Sequence, residues 1–157
     1  MDLKHTEDFF IRSLLNKVQL KEIMTRDIIV IDVNAPFSQV YDKFANNKIR
    51  HLPVVVDKNH LVGIITQRDL YRIQSPRHLE DGEWYYDREM LDSYILQKVM
   101  TPKPFILTPE HSVAAALLAM VDYKYSCIPI VERGDVLCGI ITQIDILKIG
   151  AQILREK

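Results

Sequence analysis

Residues 24–70 of this 157-residue chain are written a second time, 76 positions later and without a gap. Met24 falls on Met100, Pro53 on Pro129, Gly63 on Gly139 and Asp69 on Asp145; Gly63-Ile64-Ile65-Thr66-Gln67-Arg68-Asp69 returns as Gly139-Ile140-Ile141-Thr142-Gln143-Ile144-Asp145. An internal duplication constrains the fold more than any composition value, because both copies must carry the same elements and neither is large enough to close a core alone. An α+β architecture follows, with two β-α-β-β-α repeats packed sheet to sheet as an internal pseudo-two-fold pair. The boundaries read as an N-terminal helical leader (1–19), a first repeat (20–73), a connector insertion (74–95) and a second repeat with a C-terminal helix (96–157).

In the first copy, Ile28 to Ile31 is a β-branched run of strand type, and Asn34-Ala35-Pro36 breaks it. Phe37, Val40, Tyr41 and Phe44 then have helical spacing and end in Asn46-Asn47-Lys48. Leu52–Val56 and Leu61–Ile65 are apolar strands joined by the turn-forming Asp57-Lys58-Asn59-His60, which predicts a hairpin. The second copy predicts a strand at Phe105-Ile106-Leu107, an N-cap at Ser112, a buried helix from Val113 to Val121, and a hairpin turned by Arg133-Gly134-Asp135. In the leader, Thr6 is placed to cap a helix carrying Phe9, Phe10, Leu14, Leu15 and Val18 on one face. The C-terminal helix is expected beside it. The connector contains Glu83-Trp84-Tyr85-Tyr86-Asp87, whose rings either pin it to the body or meet a partner.

Several function classes are disfavoured early. A net charge of −1 leaves no global attraction to nucleic acid or an anionic membrane, so any anion site must be local. The longest apolar run, Val113 to Val121, is far short of the ~20 residues that span a bilayer. The first residues lack the basic-then-apolar order of an export signal, and Cys127 and Cys138 sit in strand-like contexts without metal-ligand spacing. A cytoplasmic protein with reduced, buried cysteines and no metal site is expected. The five scattered histidines and the absence of a nucleophile elbow or P-loop argue against an enzyme.

The Thr-x-x-Asp that ends each hairpin has two readings. One is a capping box in acidic form, with Thr accepting from the N3 amide and Asp reaching back. The other is a ligand site, in which the helix start and the Thr hydroxyl meet an anion and the carboxylate accepts from sugar hydroxyls.

Met24-Thr25, Arg50-His51-Leu52-Pro53-Val54-Val55 and Gly63 to Asp69, with Met100-Thr101, Ile128-Pro129-Ile130-Val131 and Gly139 to Asp145, resemble a tandem pair of cystathionine-β-synthase-type (CBS) domains. The resemblance covers residues 20–73 and 96–149 and implies a stand-alone regulatory, non-catalytic module with two clefts between the repeats. It further implies an adenine nucleotide (AMP, ADP or ATP) or an S-adenosylmethionine-type ligand as effector, with no obligatory cofactor. By that resemblance one cleft takes Arg50, His51, Thr66, Arg68 and Asp69, with Phe105 and Ile106 against the adenine. The other takes Ser126, Thr142 and Asp145, with Ile29 and Val30 as its wall. His51 keeps an alternative role as a strand-end histidine, and Arg68 as a solvated side chain. Nothing in the residues alone names adenine. The offset also turns Arg50, His51 and Arg68 into Ser126, Cys127 and Ile144, which predicts unequal clefts with Lys124 as the remaining nearby cation. A homodimer is expected through Phe9, Phe10, Leu14, Ile146, Leu147 and Ile153, with an unidentified effector protein as a possible further partner. The alternative is a ligand-free interaction scaffold.

Overall fold

The computed structural model describes residues 3–155, and side chains from Asp8 onward except that of Ile153. In chain order the elements are α1 (Leu3–Lys17), α2 (Leu20–Ile23), β1 (Ile31–Asp32), α3 (Ser38–Asn47), β2 (His51–Val56), β3 (His60–Thr66) and α4 (Gln67–Ile73). Then follow β4 (Arg77–His78), β5 (Trp84–Tyr85), α5 (Arg88–Asp92), α6 (Leu96–Val99), β6 (Thr101–Pro102), α7 (Val113–Asp122), β7 (Cys127–Glu132), β8 (Val136–Thr142) and α8 (Gln143–Arg155). The fold is α+β, as the alternating periods require.

The chain forms two compact units, and neither is a contiguous stretch of sequence: unit 1 joins residues up to Ile28 with those from Phe105 onward, and unit 2 runs from Ile29 to Pro104. In unit 2, β2 and β3 make an antiparallel hairpin from His51↔Thr66 to Val56↔His60, turned by Asp57 and Lys58 at positive φ. Strand β1 lies parallel to β2 through Ile31↔Val54, and β6 pairs with β3 through Ile64↔Thr101. Unit 1 repeats each pairing under the same 76-residue offset, which runs forward for the hairpin and back for Thr101. Its hairpin runs from Cys127↔Thr142 to Glu132↔Val136, and single bridges join Leu107 to Ile130 and Thr25 to Ile140.

The head of one copy therefore completes the hairpin of the other. A side chain at Gly139 would collide with the Met24 sulfur, and one at Gly63 with the Met100 sulfur and, at 3.0 Å, with the Thr101 carbonyl oxygen. The glycine lets the methionine lie flat on the strand, which is why both residues recur together. Unit 1 is filled by Leu20, Met24, Ala116, Met120, Ile128, Ile130 and Ile141, and unit 2 by Ile31, Phe37, Val40, Leu52, Val54, Ile65, Leu91 and Leu96.

Several expectations change. The first strand is Ile31–Asp32, because only there does the chain reach β2; Ile28 to Val30 are half-buried outside the ladder. Of Phe105-Ile106-Leu107, only Leu107 bridges a strand, and Phe105 and Ile106 are exposed. Helix α7 buries Val113, Ala116, Ala119 and Met120 but leaves Leu118 and Val121 in solvent, so it is apolar all round without being buried all round. Its N-terminus is capped as expected, Ser112 Oγ accepting from the Ala115 amide at 3.2 Å. Helix α1 begins at Leu3, ahead of Thr6, whose side chain lies outside the described residues; α1 packs on α7. Both cysteines are free, and each is half-buried.

The connector holds a small β4–β5 hairpin and α5. Under the same offset α5 is the counterpart of α1: Arg88, Leu91, Tyr94 and Leu96 fall on Arg12, Leu15, Val18 and Leu20, and the apolar members of each set pack into their own unit's core. Pinning is done by fully buried Leu91, by Tyr86 against Tyr41 with ring centroids 4.8 Å apart, and by Arg88, which donates to both Asp42 oxygens at 2.8 and 2.9 Å. Trp84 stays exposed, edge-on to His78.

Candidate functional site

Each hairpin ends where its second strand becomes a helix, and pairing brings the beginning of the first strand to the same place. In unit 2, His51 stands opposite Thr66, and the Gln67 amide donates to the Arg50 carbonyl at 3.0 Å. Arg50, His51, Thr66, Arg68 and Asp69 are thus collected at one end of one sheet. Arg50 and Arg68 are exposed, while His51, Thr66 and Asp69 are half-buried. A further cation, which the motif-based reading of the sequence does not single out, is Arg72, whose Nη1 lies 3.8 Å from Asp69 Oδ1 at i,i+3 spacing on α4. That spacing was legible in the sequence.

Thr66 and Asp69 form a complete acidic capping box. Asp69 Oδ2 accepts from the Thr66 amide at 2.8 Å and from Thr66 Oγ1 at 2.7 Å, and the Asp69 amide donates to Thr66 Oγ1 at 3.3 Å. The capping reading is therefore realised, but it does not consume the carboxylate, since Oδ1 takes no part in the box. It does consume the Thr66 hydroxyl proton: a hydroxyl has one, and it is directed at Asp69. Thr66 cannot donate to an anion while the box is closed. Burial first, and the neighbouring Arg50 second, hold the His51 pKa below its ordinary value, which keeps the ring neutral at pH 7 and leaves Arg50, Arg68 and Arg72 as the local positive charge.

Unit 1 contains the same box at the same distances: Asp145 Oδ2 accepts from the Thr142 amide at 2.8 Å and from Thr142 Oγ1 at 2.7 Å, and the Asp145 amide donates to Thr142 Oγ1 at 3.3 Å. The Gln143 amide donates to the Ser126 carbonyl, mirroring Gln67 and Arg50. Around the box the chemistry differs. Ser126 and Ile144 are exposed where arginines stand in unit 2, and the Cys127 thiol has its pKa pushed up by burial and by Asp145, so it is a neutral thiol. Two cations remain in sequence reach: Lys124, and Lys148, which the offset places at the position of Arg72. Phe105 stacks on Tyr125 at 5.1 Å with Tyr123 alongside, an aromatic group that replaces Ile29, Ile49 and Asn47 of the first copy. Ile29 and Val30 belong to unit 2, where Ile29 packs on the core, and Phe105 and Ile106 belong to unit 1.

Among the described residues no group of three or more His, Cys, Asp and Glu side chains could hold a metal ion, and no helix is long and apolar enough to cross a membrane.

The sequence profile of the CBS domain matches residues 20–75 and 96–151. A protein of Methanocaldococcus jannaschii is 28% identical over 93% of this chain, which covers 46% of that protein's length; a second from the same organism is covered to 34%. This chain therefore spans less than half the length of the first curated relatives it matches. A CBS domain-containing protein of Dictyostelium discoideum is 28% identical over 88% of this chain and 94% of its own. Among solved structures, CBSX2 in complex with AMP superposes with a TM-score of 0.72 at 21% identity, covering 88% of this chain and 99% of that one; CBSX2 is an Arabidopsis thaliana protein. The CBS domain pair of MJ0100, in complex with 5′-methylthioadenosine and S-adenosyl-L-methionine, gives 0.70 at 21% identity, with 87% and 98% covered.

Proposed function

The chain belongs to the CBS domain family, and on that premise we propose that it is a regulatory, non-catalytic module of the cytoplasm that senses an adenine nucleotide and signals by changed association with itself or with an effector protein. The observation that carries this reading is the contrast between two identical capping boxes: Arg72 lies beside Asp69 while Arg50 and Arg68 stand at the same end of that sheet, and Ser126 and Ile144 hold the positions of Arg50 and Arg68 next to the box of Asp145. Helix capping needs no arginines. A ligand bearing both a sugar and a phosphate needs them together with a carboxylate.

In this reading Asp69 Oδ1 accepts from the ribose hydroxyls, Arg50 and Arg68 hold the phosphate as bidentate donors, and Thr66 keeps Asp69 in place. The half-site of Ser126, Thr142 and Asp145 suits an adenosyl ligand without phosphate, with Lys124 and Lys148 as its weaker counter-charges. The complexes of CBSX2 with AMP and of MJ0100 with adenosyl compounds support this ligand class. The relatives named homoserine O-acetyltransferase, of which the chain covers 24–25%, give no reason to assign it their chemistry.

Thermal unfolding with AMP, ATP and S-adenosylmethionine tests the proposal. A ligand at 100 times its dissociation constant adds ~2.7 kcal/mol to stability. AMP or ATP should raise the melting temperature and the Asp69→Ala variant should cut the rise by about half or more; no response to any of the three, with no adenosyl compound extracted from the purified protein, overturns it. The scaffold alternative draws on Trp84, which is 66% exposed; it gains if ligand binding is absent and Trp84→Ala releases a partner.

A further inference from the structure

The connector is also tied to α4 through a sulfur. Met90, on α5, is 39% exposed, and its Sδ accepts from Gln74 Nε2 at 3.5 Å and from Arg77 Nη2 at 3.9 Å. Gln74 closes α4, its own amide donating to the Leu70 carbonyl, and Arg77 opens the β4–β5 hairpin, so one thioether links three elements of unit 2. The Asp87 carboxylate caps α5 by accepting from the Met90 amide at 3.2 Å and lies 3.9 Å from Arg77 Nη1. A thioether is a weak acceptor, yet Gln74, only 6% exposed, spends its amide donor on it and has no partner for Oε1 among the described residues. Of the five methionines, Met24 and Met120 are buried, Met100 is half-buried against Gly63, and Met1 lies outside the described residues. Under the 76-residue offset Met90 falls on Leu14, so this sulfur has no counterpart in unit 1.

We propose that Met90 is a site of reversible oxidation by peroxides, whose sulfoxide is held in the fold by Gln74 and Arg77. In the step a sulfur lone pair attacks the terminal oxygen of a hydroperoxide, the O–O bond breaks, and the departing oxygen takes the proton. Sulfur is oxidised by two electrons to the sulfoxide, and the hydroperoxide is reduced to its alcohol, or hydrogen peroxide to water. A methionine sulfoxide reductase supplied with a thiol reductant reverses the change. The new oxygen is a stronger acceptor than sulfur, and two donors already converge on the atom that carries it. Oxidation of a core methionine sets a polar atom among apolar ones and disrupts them. At Met90 it completes an under-satisfied polar cluster instead. The gain falls on the tie between the connector and α4, the helix that opens at the capping box of Asp69. The proposal stands independently of the ligand reading above.

Treatment of the full chain with hydrogen peroxide, followed by peptide mass spectrometry and thermal unfolding, tests this. Sulfoxide should accumulate at Met90 several-fold faster than at Met24, Met100 or Met120. Oxidised wild type should melt roughly 2–4 °C higher, the shift that about one added hydrogen bond gives a chain of this size, and the reductase should return it to the starting value. Arg77→Ala, at an exposed side chain, should diminish the rise; its ion pair with Asp87 is lost before and after oxidation alike and cancels. Met90→Leu, which places the residue of unit 1 at this position, should show no rise with peroxide, so that the other methionines are excluded as its source. Sulfoxide forming at Met90 no faster than at those three, or an unchanged or lower melting temperature in oxidised wild type, overturns the assignment. So does a rise that is undiminished in Arg77→Ala or kept by Met90→Leu.

Discussion

Replacing Asp69 and Asp145 by alanine separates capping from ligand binding, because the two boxes agree in every distance: 2.8, 2.7 and 3.3 Å. Each substitution removes one helix-capping interaction, worth about 1 kcal/mol, and leaves a half-buried threonine amide without its carboxylate, worth about 1 kcal/mol more. For a chain of this size that total corresponds to a fall in melting temperature of roughly 4–8 °C. The two variants should fall together. In affinity they should part: Asp69→Ala also deletes charge-assisted bonds to ribose of about 1.5–3 kcal/mol each, so the tighter AMP event should weaken by at least ~10-fold, and Asp145→Ala should spare it. Scanning calorimetry measures the first quantity and isothermal titration the second. Matched melting with unchanged AMP affinity in Asp69→Ala would reduce the carboxylate to a cap. Loss of the tighter event in Asp145→Ala alone would reverse the assignment of the half-sites.

Arg68→Ile, which gives the first copy the residue found in the second, should weaken AMP by roughly 10-fold or more in titration while affecting adenosine little, since it removes a phosphate contact only. Gly63→Ala should destabilise by about 1–3 kcal/mol in denaturant unfolding, and more than Gly139→Ala, because its new methyl meets the Thr101 backbone as well as a methionine that can move. Tyr86→Phe should leave stability unchanged or raise it by up to ~1 kcal/mol: the hydroxyl is buried without a partner among the described residues, burial pushes its pKa up to about 12, and unit 1 has Phe10 at the equivalent position. His51 is held below its ordinary value of 6.5 in the folded state, so below that pH the unfolded chain binds more protons and stability is lost on acidification. His51→Gln should flatten the stability profile between pH 7 and 5, and an unaltered slope would show that another group titrates there.

Much of the fold, and the capping half of the candidate site, were legible because their signals are local. Turn residues, the Ser112 cap, the alternation of strand and helix periods and the Thr-x-x-Asp spacing act between residues a few positions apart, and the structure reproduces them almost to the residue. The offset alone showed that Arg50, His51 and Arg68 have no basic counterparts in the second copy. What stayed hidden were contacts across long separations. Strand Ile28–Ile31 shrank to two residues because its extent depends on where the chain meets β2, and the connector concealed a second copy of the leader because the identities along it, such as Arg88 with Arg12 and Leu91 with Leu15, are few and scattered, and burial is what the two segments mainly share.

The sequence by itself determined the duplication, the elements of each copy and the residue types at each helix start, since these follow from short-range geometry and from the repeat. Tertiary structure decided which head completes which hairpin: a methionine can cover a glycine on either copy's strand with the same local preference, and only closing a core around Met24 and Gly139, and another around Met100 and Gly63, selects the exchanged arrangement. It also decided that α7, apolar on every side, leaves Leu118 and Val121 in solvent, because burial of a helix face depends on what the rest of the chain brings against it.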